Sequence, residues 1–390
     1  MKSKIVFLTF HNWESKRQGG FHKFAEEFAN KGWRVFFFSV PRPYYSYFKN
    51  DERLNKTVLK NLSKGLEYSI GKGSLLNLTL PTFALPGGLR KFFSNKVNKF
   101  LQKTSLQNTN KFLQDKFKGV THFVFESNEA LLYYKKIRKL FPDAKIIYRP
   151  SDPVCANKNA SLHIVEAEKE ILFNADLVFL VNKENFDTVT GFYKEYTKSK
   201  NCAILNNGVD MDAYTQTYSI PNALQKENTV LYVGARDIDW DMIVEAANLD
   251  KHLNFVIVCP EIPNENFINY TNLKNTNLFY IDGIKPTDVP KYITNADVVI
   301  VPNPKDRYKT KNWGITAKYL QAMAAKKPIV AYHDGEYLKD YEIEPVYNTT
   351  DFLLKINTAL KKPVVNYNYN LAERDWTVLT EKFYNSIINL

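Results

Sequence analysis

Apolar residues arrive in short runs that alternate with helical periodicity, and this alternation organises the chain. KIVFLTF (4–10) reads as a strand buried on both faces, with GGFHKFAEEFANKG (19–32) after it. In that second segment Phe21, Phe24, Ala25 and Phe28 recur at helical spacing and Gly32 ends the run. WRVFFFSV (33–40), THFVFES (121–127), AKIIYRPSD (144–152), ADLVFLVN (175–182) and CAILNNG (202–208) are the further strands of a first series. A second series starts at TVLYVGA (229–235) and continues through LNFVIVCP (253–260), TNLFYIDG (276–283), ADVVIVPN (296–303) and KPIVAYHD (327–334). Strands separated by helices predict parallel, doubly wound α/β sheets, here two Rossmann-like domains facing a central cleft. The polar segment 215–228, with Pro221, is the expected linker, giving domains at 1–217 and 218–371. AERDWTVLTEKFYNSIINL (372–390) is a last helix with Trp376, Leu379, Phe383 and Ile387 on one stripe.

Length agrees with this division, since 390 residues exceed one ordinary core. The apolar share of 44% is that of a globular protein, and no apolar run approaches the roughly 18–20 residues of a membrane span. The start, MKSKIVFLTFHNW, is too short in its apolar part for a signal peptide and reads as a buried first strand. Cys155, Cys202 and Cys259 form no CxxC pair, and the six histidines show no ligand spacing, so no metal and no cofactor are expected. The absence of a disulfide framework fits a reducing cytosol. A net charge of +12 changes the picture more, because it asks for an anionic partner.

Such sheets bind ligands at the carboxyl ends of their strands. Neither series carries GxGxxG or GxxxxGK[ST]. In their place Gly19 and Gly20 open the first helix, as a phosphate-binding turn or a plain tight turn. Gly234 and Arg236 close the first strand of the second series, the one permitting close backbone approach and the other supplying a cation.

Five segments in order carry a resemblance: GGFHKFAEEFANKGWRV, NNGVDMDAY (206–214), VLYVGA, NADVVIVPNP (295–304) and AKYLQAMAAKKPIVA. They resemble the two-domain nucleotide-sugar glycosyltransferases of the GT-B fold over nearly the whole chain. Retaining members usually show E-x-F-G followed by L-E-A-M-A; this chain has Asn312-Trp313-Gly314 and Gln321 instead. Lys318 with Gln321 is similar to the xanthan-assembly glucuronosyltransferase (GumK-like) family, which is inverting and membrane-associated. The resemblance implies a UDP-sugar donor, a polyprenyl-diphosphate-linked saccharide acceptor and surface polysaccharide assembly. It also implies that the last helix packs back on the first domain.

Lys318 and Gln321 share a helical face near a helix N-terminus, where dipole and ammonium favour a diphosphate. Gln321 can both accept from and donate to ribose hydroxyls. The expected nucleotide-sugar set is Gly234, Ala235, Arg236, Asn303, Lys318 and Gln321. Asp152 matches the family's catalytic aspartate; the alternative is a helix cap, with Glu126 as reserve base and Arg149 as structural or a phosphate contact. Arg236, Lys285 or Lys311 would meet a uronate carboxylate.

Residues 87–119 set Phe92, Phe93, Val97, Phe100 and Leu101 among Lys91, Lys96, Lys99 and Lys103, as an amphipathic helix for an anionic membrane or as an ordinary core-facing helix. Tyr44, Tyr45, Tyr47 and Phe48 add an aromatic cluster. With no recognition module present, nucleic acid is not expected as a partner. The expected location is cytoplasmic, at the inner face of the cell membrane. Two readings compete: a sugar-nucleotide epimerase of the same fold, and a non-catalytic basic membrane- or nucleic-acid-binding protein.

Overall fold

The computed structural model describes the chain apart from residues 1–2, 16–17, 44–63, 83–91, 95, 98–99, 102–108, 158–159, 199–200 and 306–313. Two compact units result, one of Met1–Asn206 with Thr380–Leu390, the other Asn207–Leu379.

The first unit contains β1 (Lys4–Thr9), α1 (Gly20–Asn30), β2 (Arg34–Pro43), β3 (Leu66–Ile70), β4 (Gly73–Thr82), α2 (Asn110–Lys116), β5 (His122–Phe125), α3 (Tyr134–Leu140), β6 (Lys145–Tyr148), α4 (Leu162–Asn174), β7 (Leu177–Leu180), α5 (Lys183–Phe192) and β8 (Cys202–Ile204). Its strands run β3-β4-β2-β1-β5-β6-β7-β8, parallel throughout except for the β3–β4 pair. Ile5, Val6, Phe7 and Leu8 are wholly buried, as a strand covered on both faces requires. In α1 the buried positions include Phe21, Phe24, Ala25 and Phe28, the stripe its periodicity predicts.

The apolar pattern predicts no strand over 64–82, yet β3 and β4 form a hairpin there. β3 is a sheet edge whose residues alternate between half-buried and exposed, so it lacks the apolar run that marks the central strands. Gly71, in the connection, has φ +54°, and a Cβ there would come 2.7 Å from the Asn30 Cα.

The second unit contains α6 (Met211–Thr215), β9 (Thr229–Val233), α7 (Trp240–Leu249), β10 (Asn254–Val258), α8 (Glu265–Thr271), β11 (Leu278–Ile281), α9 (Val289–Asn295), β12 (Val298–Pro302), α10 (Ala317–Ala324), β13 (Ile329–Tyr332) and α11 (Thr349–Leu360). Its parallel sheet runs β11-β10-β9-β12-β13. Residues 207–217, assigned by sequence to the first domain, belong here. Tyr214 packs in this unit's core with Leu224 of the expected linker, and Val209 bridges to Asp375.

The last helix, α12 (Trp376–Ile388), crosses the division at Thr380. Within the first unit Phe383 stacks on Phe24 at 4.2 Å and meets Phe7, Phe28 and Phe179. Lys31 pairs with Glu381 at 2.7 Å.

An amphipathic surface helix over 87–119 needs correcting at its far end. Leu113 and Phe117 are fully buried, and Phe117 packs edge-on against Phe36, Phe38 and Phe123, so α2 faces the core. Phe92 and Phe100 are exposed, at 84% and 64%. Tyr44, Tyr45, Tyr47, Phe48, Lys91, Lys99 and Lys103 lie outside the described residues.

Candidate functional site

In the first sheet the chain order reverses between β1 and β5, because α1 carries the chain from β1 to β2 on one side and β5 lies on the other. The carboxyl ends of β1, β5 and β6 therefore frame a crevice of the kind that receives ligands. Glu126, the residue after β5, is only 6% exposed. Its Oε2 accepts from Thr9 Oγ1 (2.5 Å), the Phe10 N–H (3.1 Å) and Asn128 Nδ2 (3.0 Å), while Oε1 accepts from Ser151 Oγ (3.0 Å). Four donors occupy this carboxylate, so it fastens three strand ends together and is poorly placed to take a substrate proton.

Arg149 is buried beside it, over the ring of Phe24 at 5.4 Å. Burial draws its pKa down to about 10, while Glu126 and Asp152 favour the charged form. Asp152 follows four residues after β6 and is exposed. The capping alternative fails, since the next short 3-10 turn is capped by Pro153 and α4 by Ser161. Downstream of Asp152, Glu168 on α4 is fully buried and accepts from Tyr148 Oη, the Val154 and Cys155 N–H groups and Tyr193 Oη. Burial pushes its carboxyl pKa up against those hydrogen bonds.

The loop after β1 is tied by the unforeseen hairpin, through reciprocal amide bonds between Asn12 and Asn77 at 3.3 and 3.1 Å. Gly19 is the N-cap of α1, and its N–H donates to His22 Nδ1 at 3.3 Å; Gly20 is the first helical residue. Nδ1 thus accepts, and Nε2–H donates to the Asn12 carbonyl at 3.1 Å. The Gly19 N–H expected to face an anion is therefore committed to a side chain. Burial lowers the His22 pKa from 6.5 to about 4. Above pH 6.5 the imidazole is neutral folded or unfolded; between 6.5 and about 4 only the unfolded chain takes the proton. Acidification through that window is expected to cost up to about 3 kcal/mol. Urea unfolding at several pH values should show this slope, and His22→Asn should lose it.

In the second sheet the order reverses between β9 and β12. The Asp239 N–H donates to the Pro302 carbonyl at 2.9 Å, stitching the two strand ends. Tyr232, in β9 and fully buried, donates its hydroxyl proton to the Arg236 carbonyl at 2.8 Å. The same oxygen accepts from Lys318 Nζ at 3.1 Å, and that ammonium lies 4.8 Å from the ring centre. Lys318 stands in the first turn of α10, with Gln321 one turn on, both half-buried. Thr316 is the N-cap, and its buried Oγ1 has no hydrogen-bond partner among the described residues.

Gly234 also makes room for a side chain. Its N–H donates to the Val258 carbonyl at 3.1 Å, and a Cβ would stand 2.2 Å from Tyr232 Oη. The space is reserved for the phenol. Ala235 and Arg236 are exposed, and Arg236 pairs with Asp237 at 3.6 Å. Asn303 is buried and donates to Asp334 Oδ2 at 2.7 Å. Asp334 also accepts from Tyr319 Oη (2.5 Å), Tyr337 Oη (2.8 Å) and the Gly335 N–H (2.8 Å). Asp334, just beyond β13, thus ties the end of β12 through Asn303 and α10 through Tyr319, by a carboxylate that apolar patterning does not single out. Lys285 is exposed before a 3-10 turn at Pro286–Asp288, and Lys311 lies outside the described residues. Among the described residues no group of three or more acidic, His or Cys side chains is placed to hold a metal ion.

Solved structures of the same architecture cover the chain end to end. Anabaena Alr3699/HepE, solved with UDP-glucose, is 14% identical over 99% of this chain and 100% of its own, with a TM-score of 0.62. The UDP-forming α,α-trehalose-phosphate synthase of Burkholderia vietnamiensis is 13% identical over 100% and 99%, TM-score 0.62. A Rickettsia africae glycosyltransferase is 14% identical over 98% and 94%, TM-score 0.60. The chain has the GT-B glycosyltransferase fold. No curated protein matches it by sequence. Residues 7–181 match the family described as glucuronosyltransferase GumK, N-terminal domain.

Proposed function

We propose that this protein moves a sugar, glucuronate or another hexose, from a UDP-sugar to a hydroxyl of a lipid-linked saccharide, inverting the anomeric centre. The observation that carries the reading is the Lys318 ammonium, in the first turn of α10 and fixed on Tyr232 at the switch point of the second sheet. A helix N-terminus and an ammonium together suit a diphosphate whose charge grows as its bond to the sugar breaks. The UDP-glucose complex of HepE and the match of residues 7–181 to the GumK N-terminal domain support the donor class.

In the transfer Asp152 takes the proton of the acceptor hydroxyl as its oxygen bonds to the anomeric carbon. The bond from that carbon to the diphosphate oxygen breaks, and its electron pair leaves with UDP. Lys318 and the first turn of α10 meet the charge that leaves, and Gln321 contacts the ribose. Exposed Phe92 and Phe100, with the chain's positive charge, support a membrane-borne acceptor.

Thermal unfolding against UDP, GDP, UDP-glucuronate, UDP-glucose and UDP-galactose tests this. A ligand at about a hundred times its dissociation constant should add about 2.7 kcal/mol. Stabilisation by uridine nucleotides alone, weakened in Lys318→Ala, is the expected result. No shift with any nucleotide would sink the reading.

A further inference from the structure

We infer that Tyr232 is a positioning residue for Lys318, and that its hydroxyl sets the protein's affinity for the diphosphate of a nucleotide. The inference rests on the proposed role of α10 and deepens it. The phenol is fully buried, so its oxygen has a fixed place. Its proton goes to the Arg236 carbonyl, which leaves a lone pair directed at the lysine ammonium. A lysine loses much side-chain entropy when it is held in one place. A contact that holds it before the ligand arrives lowers that cost at the moment of binding. Gly234 belongs to the same device, because a methyl group there would displace the phenol oxygen. Thr316, one residue ahead of α10, brings a buried hydroxyl with no protein partner among the described residues to the same helix end.

Tyr232→Phe separates the hydroxyl from the ring. The ring keeps the core filled and remains under the ammonium, so only the oxygen is lost. UDP and uridine are the probes, and calorimetric titration of each gives the contribution of the diphosphate as a ratio of affinities. In the unaltered protein UDP should bind more tightly than uridine. In Tyr232→Phe that ratio should fall about tenfold, with uridine affinity unchanged. The double variant with Lys318→Ala should fall no further than Lys318→Ala alone, because the tyrosine acts through the lysine. Gly234→Ala, which keeps the hydroxyl but moves it, should give the same selective loss and serves if Tyr232→Phe does not fold. An unchanged ratio, or an equal loss for uridine and UDP, overturns the inference while the donor site stands. If the unaltered protein binds UDP no better than uridine, both the inference and the proposed function fall.

Discussion

Asp152→Asn is expected to slow sugar transfer by about 10²–10⁴-fold. UDP affinity should stay as it is. Asparagine has nearly the shape of aspartate but cannot take a proton from the acceptor hydroxyl at neutral pH. Asp152 is exposed beyond the end of β6, whereas the reserve candidate Glu126 is buried under four donors. The two should therefore separate cleanly. Glu126→Gln should lose stability along with activity, and Asp152→Asn activity alone. Transfer by Asp152→Asn within tenfold of the unaltered protein would place the base elsewhere.

Glu168→Ala is expected to cost about 4 kcal/mol of folding stability. The carboxylate is fully buried and receives Tyr148 Oη at 2.8 Å, the Val154 N–H at 2.6 Å, the Cys155 N–H at 2.8 Å and Tyr193 Oη at 3.3 Å. Burying the charge is itself unfavourable, which is why its pKa rises. Removing it is worse, because the Val154 and Cys155 N–H groups and the Tyr148 hydroxyl lose their acceptor, while the Tyr193 hydroxyl keeps the Val165 carbonyl at 3.1 Å. Glu168→Gln should fall between, since an amide presents one acceptor and turns its own donors toward the rest. Urea unfolding at neutral pH measures all three. A loss below about 1 kcal/mol for Glu168→Ala would mean that the turn after Asp152 finds other acceptors.

Several features were legible because they are local. KIVFLTF and TVLYVGA are apolar enough to be central strands wherever they sit, and the stripe of Phe21, Phe24 and Phe28 makes an amphipathic helix in any context. The order of NNGVD, ADVVIVP and QAMAAKKPIV pointed to the fold. β3 is not legible, because an edge strand with one wet side carries no long apolar run, and in β4, which is interior to the sheet, the buried polar Asn77 and Thr79 interrupt the run of Leu75, Leu76 and Leu78. Segment 215–228 is polar in composition and reads as a linker, yet Leu224 and the preceding Tyr214 are core residues of the second unit, which begins at Asn207.

The sequence by itself determined the two sheet series, the helix that carries Lys318 and Gln321, and the turn that carries Asp152. Tertiary structure decided what each group is bound to. Only packing shows that Gly234 makes room for a phenol from its own strand, that the Gly19 N–H serves His22, and that Asn303 serves Asp334. Period and composition follow from neighbours along the chain, whereas a hydrogen bond between residues 86 positions apart, such as Lys318 to Tyr232, exists only once the sheet has brought the strand and helix together.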